Sequence, residues 1–110
     1  MASSKDFLDF VMEQISDLGD IASRPMMGEY VIYYQGKVVG GIYDNRFLLK
    51  ETDSAKQLLI ADGVQPQTDI PYPGAKEMLV ADIDDRELTC RLIRTIVNDL
   101  PPRERRATRT

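Results

Sequence analysis

An α+β fold, with a mostly antiparallel sheet carrying helices on one face, is what this sequence predicts, and three observations carry the prediction. The stretch from Arg24 to Lys50 crowds Tyr, Val, Ile and Phe between turn residues. Apolar residues recur at helical spacing near both ends of the chain. A proline-rich connection at Gln65–Gly74 precedes one more short apolar run. The order helix, strands, helix, strand, helix describes a two-layer domain.

The central stretch reads as a meander over 29–50. β-branched and aromatic residues suit a pleated, half-buried surface, and the crowding stops at Gln35-Gly36 and at Asp44-Asn45. Gly, Asn and Asp tolerate the positive φ of two-residue hairpin loops, so each pair predicts a direct reversal. Two-residue turns would set Tyr33 opposite Val38, Val31 opposite Gly40, Ile42 opposite Phe47 and Gly40 opposite Leu49. Val31, Tyr33, Val38, Gly40, Ile42, Phe47 and Leu49 would then form the core side. Tyr30, Ile32, Tyr34, Lys37, Val39, Gly41, Tyr43, Arg46, Leu48 and Lys50 would form the other. A slip of one residue exchanges the two sides, so the assignment rests on the turns.

Ahead of the meander, Ser3 with Asp6 matches a capping box, and Phe7, Leu8, Val11, Ile15 and Leu18 keep helical spacing up to Gly19. A helix over 4–18 follows. Pro25 biases Asp20–Met27 toward an extended piece and removes a donor, which places that piece at an edge or a bend, with Gly28 a backbone bend beside it.

After the meander, Thr52 or Asp53 caps a helix near 53–62 that stops at Gly63. Pro66, Pro71, Pro73 and Gly74 exclude a continuous helix or a central strand. Lys76–Ala81 reads as a strand. Asp84 with Glu87 opens a helix over 85–100, in which Leu88, Leu92, Ile96 and Leu100 repeat every four residues until Pro101-Pro102. Residues 103–110 lack any large apolar anchor and are expected to be a disordered basic tail beyond a domain at 1–102.

Composition narrows the chemistry. The 110 residues contain no histidine, which removes the usual general base and the commonest metal ligand. Cys90 is the only cysteine, so no internal disulfide forms, and its helical setting reads as a small buried hydrophobe. No apolar run approaches the about 20 residues of a membrane span, and no signal segment opens the chain, so a cytoplasmic protein is expected. Neither GxGxxG nor a P-loop pattern is present. The net charge of −4 divides into +3 over residues 103–110 and −7 over the rest, and an acidic body opposes nonspecific attraction to phosphate.

The run Arg24-Pro25-Met26-Met27-Gly28-Glu29-Tyr30, followed by Ile32-Tyr33, Gly36-Lys37 and Arg46-Phe47-Leu48-Leu49-Lys50, resembles the N-terminal domain of the TfoX (Sxy) competence regulators. The likeness extends over roughly residues 5 to 100 and is carried by an R-x-M-x-G-x-Y core, which is not a catalytic signature. Full-length members add a C-terminal domain of helix-hairpin-helix character, which this sequence ends before, and Phe often stands where Met27 does here. The resemblance implies a bacterial regulator of competence genes, a transcriptional co-activator without a characterised enzyme activity; no catalytic residue, cofactor or metal is expected.

The candidate interaction residues are Arg24, Tyr30, Tyr34, Lys37, Tyr43, Arg46 and Lys50. Arg24 presents a planar fork for a partner's carboxylate or phosphate, or else pairs with an acid of its own chain. The tyrosines and cations on one sheet side suit a protein partner, such as transcription machinery, or a homodimer. The same pattern, or the arginine tail, supports the alternative of a nucleic-acid-binding module. A small-molecule enzyme or ligand-binding domain ranks third. Asp82, Asp84 and Asp85 read as a helix start rather than a cation site.

Overall fold

The computed structural model describes residues 3–101. The elements run α1 (Lys5–Gln14), β1 (Ile21–Met26), β2 (Glu29–Tyr34), β3 (Lys37–Tyr43), β4 (Arg46–Leu49), α2 (Asp53–Ala61), β5 (Thr68–Asp69), β6 (Met78–Val80) and α3 (Arg86–Asp99). The strands form one six-stranded sheet in the order β1-β2-β3-β4-β6-β5, antiparallel at every junction. The predicted fold class is the observed one. The tail expected at 103–110 lies outside the described residues.

Local signals explain most boundaries. Ser4, rather than Ser3, caps α1: its Oγ accepts the Phe7 N–H at 3.1 Å. The expected first helix divides, because the chain tightens to a 3-10 turn at Ser16–Leu18 before Gly19 at φ 77°. Thr52 caps α2 as predicted, and Asp85 takes the capping role expected of Asp84 by accepting from Leu88 N–H at 3.1 Å. Asp82 accepts from Asp84 N–H, so this acidic run is indeed a helix start.

Both expected reversals are present. Gln35 and Gly36 sit at φ 54° and 78°, Asp44 and Asn45 at 54° and 58°, and Met27-Gly28 makes a third such turn at 52° and 87°. The pairs Tyr33 with Val38, Ile42 with Phe47 and Gly40 with Leu49 form as expected. β1 is an edge strand in which Pro25 faces Tyr30. Gln35 N–H donates to Asp20 carbonyl oxygen. Alternation from that bond turns Pro25's nitrogen away from β2, so its missing donor costs the ladder nothing.

One expectation fails between the two turns. The register shifts between Ile32 and Tyr33, so that Val39 is an extra residue and Val31 pairs with Gly41 instead of Gly40. Side chains beyond this bulge change sides relative to β2. Tyr30, Ile32 and Tyr34 therefore share a side with Ile42, Phe47 and Leu49, and Val31, Tyr33 and Val38 lie on the opposite one.

The glycine pair makes room for the bulge. A Cβ on Gly40 would land on the Leu48 carbonyl oxygen, and one on Gly41 would come within 2.8 Å of the Tyr30 carbonyl oxygen.

One apolar cluster joins Leu8 and Val11 of α1, Ala55 and Leu59 of α2, and Leu92, Ile93 and Ile96 of α3 to Ile32, Ile42, Phe47 and Leu49 of the sheet. All three helices thus pack on the side that holds Ile32. Cys90 is buried there, and loss of hydration pushes its thiol pKa up, in keeping with an inert core residue.

Candidate functional site

The bulge disperses the candidate residues. Tyr34 is buried under the helices at 7% exposure, and Tyr30 is half-buried against the same core. Lys37 shares that side, and its Nζ donates to the Val97 carbonyl oxygen near the end of α3 at 3.3 Å. It caps a helix, where a cation is favourable. Tyr43, Arg46 and Arg24 lie across the sheet from these three. The single Tyr/Lys/Arg platform expected from the sequence is not formed, because one extra residue in β3 puts half of it among the helices.

What remains on the outer side has two parts. Over β1, β2 and β3, Arg24, Val31, Tyr33 and Val38 are exposed or half-exposed. The Arg24 guanidinium lies 6.0 Å from the Tyr33 ring centroid. This is a cation–π contact, and of the two readings of Arg24 the pairing with an acid of its own chain is not formed: among the described residues no acid lies within ion-pairing distance of it. Met27, at the tip of the first hairpin, is 98% exposed.

Over β3, β4 and β6 the outer side has a roof. Arg46 holds it with one planar fork. Its Nε donates to the Tyr43 carbonyl oxygen at 3.0 Å, Nη1 to Asp69 Oδ2 at 2.6 Å and to the Ile70 carbonyl oxygen at 3.1 Å, and Nη2 to the Pro71 carbonyl oxygen at 3.3 Å. That hydrogen bond from Arg46 holds the Asp69 carboxyl below the usual carboxylate range, with the Ile70 N–H helping.

The roof brings Tyr72 edge-on to Tyr43, with centroids 6.2 Å apart and planes at 61°. Tyr43 itself is buried, and desolvation raises its pKa, with further contributions from Tyr72 and Glu29. Its ring lies across Gly41, where a Cβ would sit 2.7 Å from the ring. Leu48, fully buried on this outer side, packs beneath.

Between the roof and β3 runs a groove of about 720 Å³, lined among others by Val38, Tyr43, Lys50, Tyr72, Lys76 and Glu77. Sequence reading found Tyr43 and Lys50 but missed Tyr72 and Lys76. The available signal was Pro71-Tyr72-Pro73-Gly74, an aromatic ring flanked by prolines that stiffen its presentation. No group of three or more metal-ligating side chains occurs among the described residues, and none of the described helices is long and apolar enough to cross a membrane.

A sheet with helices on one side only, and with an outer side half open and half roofed, defines a small α+β domain. The chain belongs to the TfoX N-terminal domain family, whose model matches residues 13–92. It is similar, at 36% identity over 97% of this chain and 92% of the other, to the uncharacterized 12.7 kDa protein in the trpE 5′ region of Spirochaeta aurantia.

Proposed function

We propose that this chain is a non-enzymatic regulatory module that docks a protein partner on the open outer side of β1, β2 and β3. Family membership supports a role in transcription or competence regulation. The observation that carries the docking reading is Arg24 held over Tyr33 on a sheet side the helices do not cover. A cation on an aromatic face, beside half-exposed Val31 and Val38, suits a segment presenting a carboxylate next to an apolar side chain. Pro25 blunts the adjacent edge, so docking by this face is favoured over strand addition. Absence of histidine fits a role in binding rather than catalysis.

The test is site-specific photo-cross-linking from position 38 in the native host, with Arg24→Glu as the control. One recurrent partner whose cross-link is lost on charge reversal supports the reading. Unchanged capture by the reversed variant, or light scattering that shows a stable dimer through this face, would replace that partner with nonspecific contact or with a second copy. Gel-shift titration at low salt addresses the nucleic-acid alternative, and no shift is expected, since the Tyr/Lys/Arg platform is split.

A further inference from the structure

We propose that the roofed groove over β3 and β4 is a binding site for a small aromatic anion, a planar ring that carries a phosphate or carboxylate on a short tether. The groove adjoins the open face at Val38, but Tyr43, Lys50, Tyr72 and Lys76, which carry this inference, belong to the groove alone, so a ligand titration tests it without reference to the docking partner.

Three features carry it. The first is preorganisation: three hydrogen bonds from Arg46 fix the roof at Asp69, Ile70 and Pro71, immediately before Tyr72, and a fourth, to the Tyr43 carbonyl oxygen, ties the guanidinium to β3. Little ordering is then left for a ligand to impose. The second is the aromatic end. Tyr72 is 56% exposed yet held edge-on to buried Tyr43, so a ring face is available for stacking.

The third is charge. Lys50 and Lys76 line the groove, and among the described residues neither has an acid within ion-pairing distance. Of the two lining carboxylates, Glu51 lies 3.7 Å from Lys56, which leaves two lysines against Glu77. Unpaired ammonium groups favour an anion as point charges.

Spacing sets the ligand's size. Lys50 N–H donates to the Val39 carbonyl oxygen, which places Lys50 four residues along β3 from Tyr43, or about 13 Å at the ordinary strand rise. A lysine side chain closes part of that distance, so the span fits a mononucleotide or an arylalkyl carboxylate. A second groove, about 360 Å³ between α2, α3 and β6, has its two lining carboxylates, Asp82 and Asp85, engaged by Asp84 and Leu88 N–H groups. It offers no comparable free charge.

The experiment is an amide-shift titration of the full chain with AMP and with 4-phenylbutyrate, beside the neutral analogues adenosine and 4-phenylbutanol. At least one anion should saturate at a Kd of about 1 mM or tighter, with shifts centred on Tyr43, Tyr72 and Lys76. Saturation by AMP alone would assign the anionic group as phosphate, and by 4-phenylbutyrate alone as carboxylate. Lys50→Gln and Tyr72→Ala each change a side chain that is not fully buried, and each should weaken binding about tenfold while leaving the remaining spectrum folded. No saturation by either anion, equal binding of the neutral analogues, or shifts centred elsewhere would overturn the proposal.

Discussion

Gly41 and Arg46 are the two residues on which the outer side depends most. At Gly41 there is no room for a methyl group, because the Tyr30 carbonyl oxygen and the Tyr43 ring both lie within 2.8 Å of a Cβ there. Gly41→Ala is expected to cost about 1–3 kcal/mol by overpacking, read as a lower urea midpoint with an unchanged slope. Arg46 acts through its partners. Replacing it with Met leaves the Ile70 and Pro71 carbonyl oxygens without this donor, and amide exchange at residues 69–75 should quicken while the core amides stay protected.

Asp69 supplies a pH readout of the same contact. Its carboxyl is depressed by Arg46, so the roof contact is fully present above the ordinary carboxylate value and is lost as pH falls through the depressed one. Acidification should therefore loosen residues 69–75 in the wild type, and Arg46→Met should abolish that dependence. Tyr43 works in the opposite sense. Its raised pKa means that the packing favouring the neutral phenol persists past pH 10.0 and fades as pH rises through the folded value, which an ultraviolet titration of ionised tyrosine would follow.

Among the elements, α1 and the bulged hairpin behave differently as sequence signals. The cap of α1 is local, since Ser4 reaches Phe7 within one turn, and Ser4→Ala should cost about 1 kcal/mol. Ser3 does something the capping pattern does not announce. Its N–H donates to the Gly28 carbonyl oxygen, its Oγ accepts from Asn45 N–H at 3.0 Å, and its hydroxyl donates to Glu29. The chain before α1 is thereby tied to two hairpin ends at once. That tie joins residues 26 and 42 positions apart, so neither a capping box nor a turn rule reveals it.

The turns of the hairpin were legible because Gln35-Gly36 and Asp44-Asn45 carry their own backbone preference. The bulge between those turns was not. Gly40 and Gly41 read as weak strand residues, and only the approach of Leu48, Tyr30 and Tyr43 to their backbone makes them a requirement. Substituting Val39, the inserted and fully buried residue, by Asp should unfold the domain. Val38→Asp, one position earlier and half-exposed on the outer side, should be tolerated. Thermal melts of the two variants would distinguish this register from an unbulged one, which predicts the reverse ranking.

For the whole molecule, the core and the outer side have different origins. Leu8, Val11, Leu92 and Ile96 lie at helical spacing and converge on Ile42 and Phe47, and Ile96→Ala should cost about 2–5 kcal/mol in a single cooperative transition. That asymmetry, with helices on one side of the sheet, was readable from three amphipathic runs. Which sheet side they cover was not, because a single inserted residue outweighed two correctly placed turns. The predicted interaction residues divided accordingly, with Lys37 and Tyr34 beneath the helices and Tyr43 and Arg46 beneath the roof.

By itself, then, the sequence determined the three helices, the reversals and the proline-blunted edge, all of which rest on residues within a few positions of one another, and it carried the family likeness; the short strand β5, inside the proline-rich connection, it did not announce. Tertiary structure alone decided the face. The bulge depends on β4 passing close to Gly40 and on β2 and the Tyr43 ring passing close to Gly41, and the roof depends on Arg46 meeting carbonyls 24 and 25 residues away. Such contacts exist only after the chain has closed on itself, since local propensity carries no information about which distant backbone will approach.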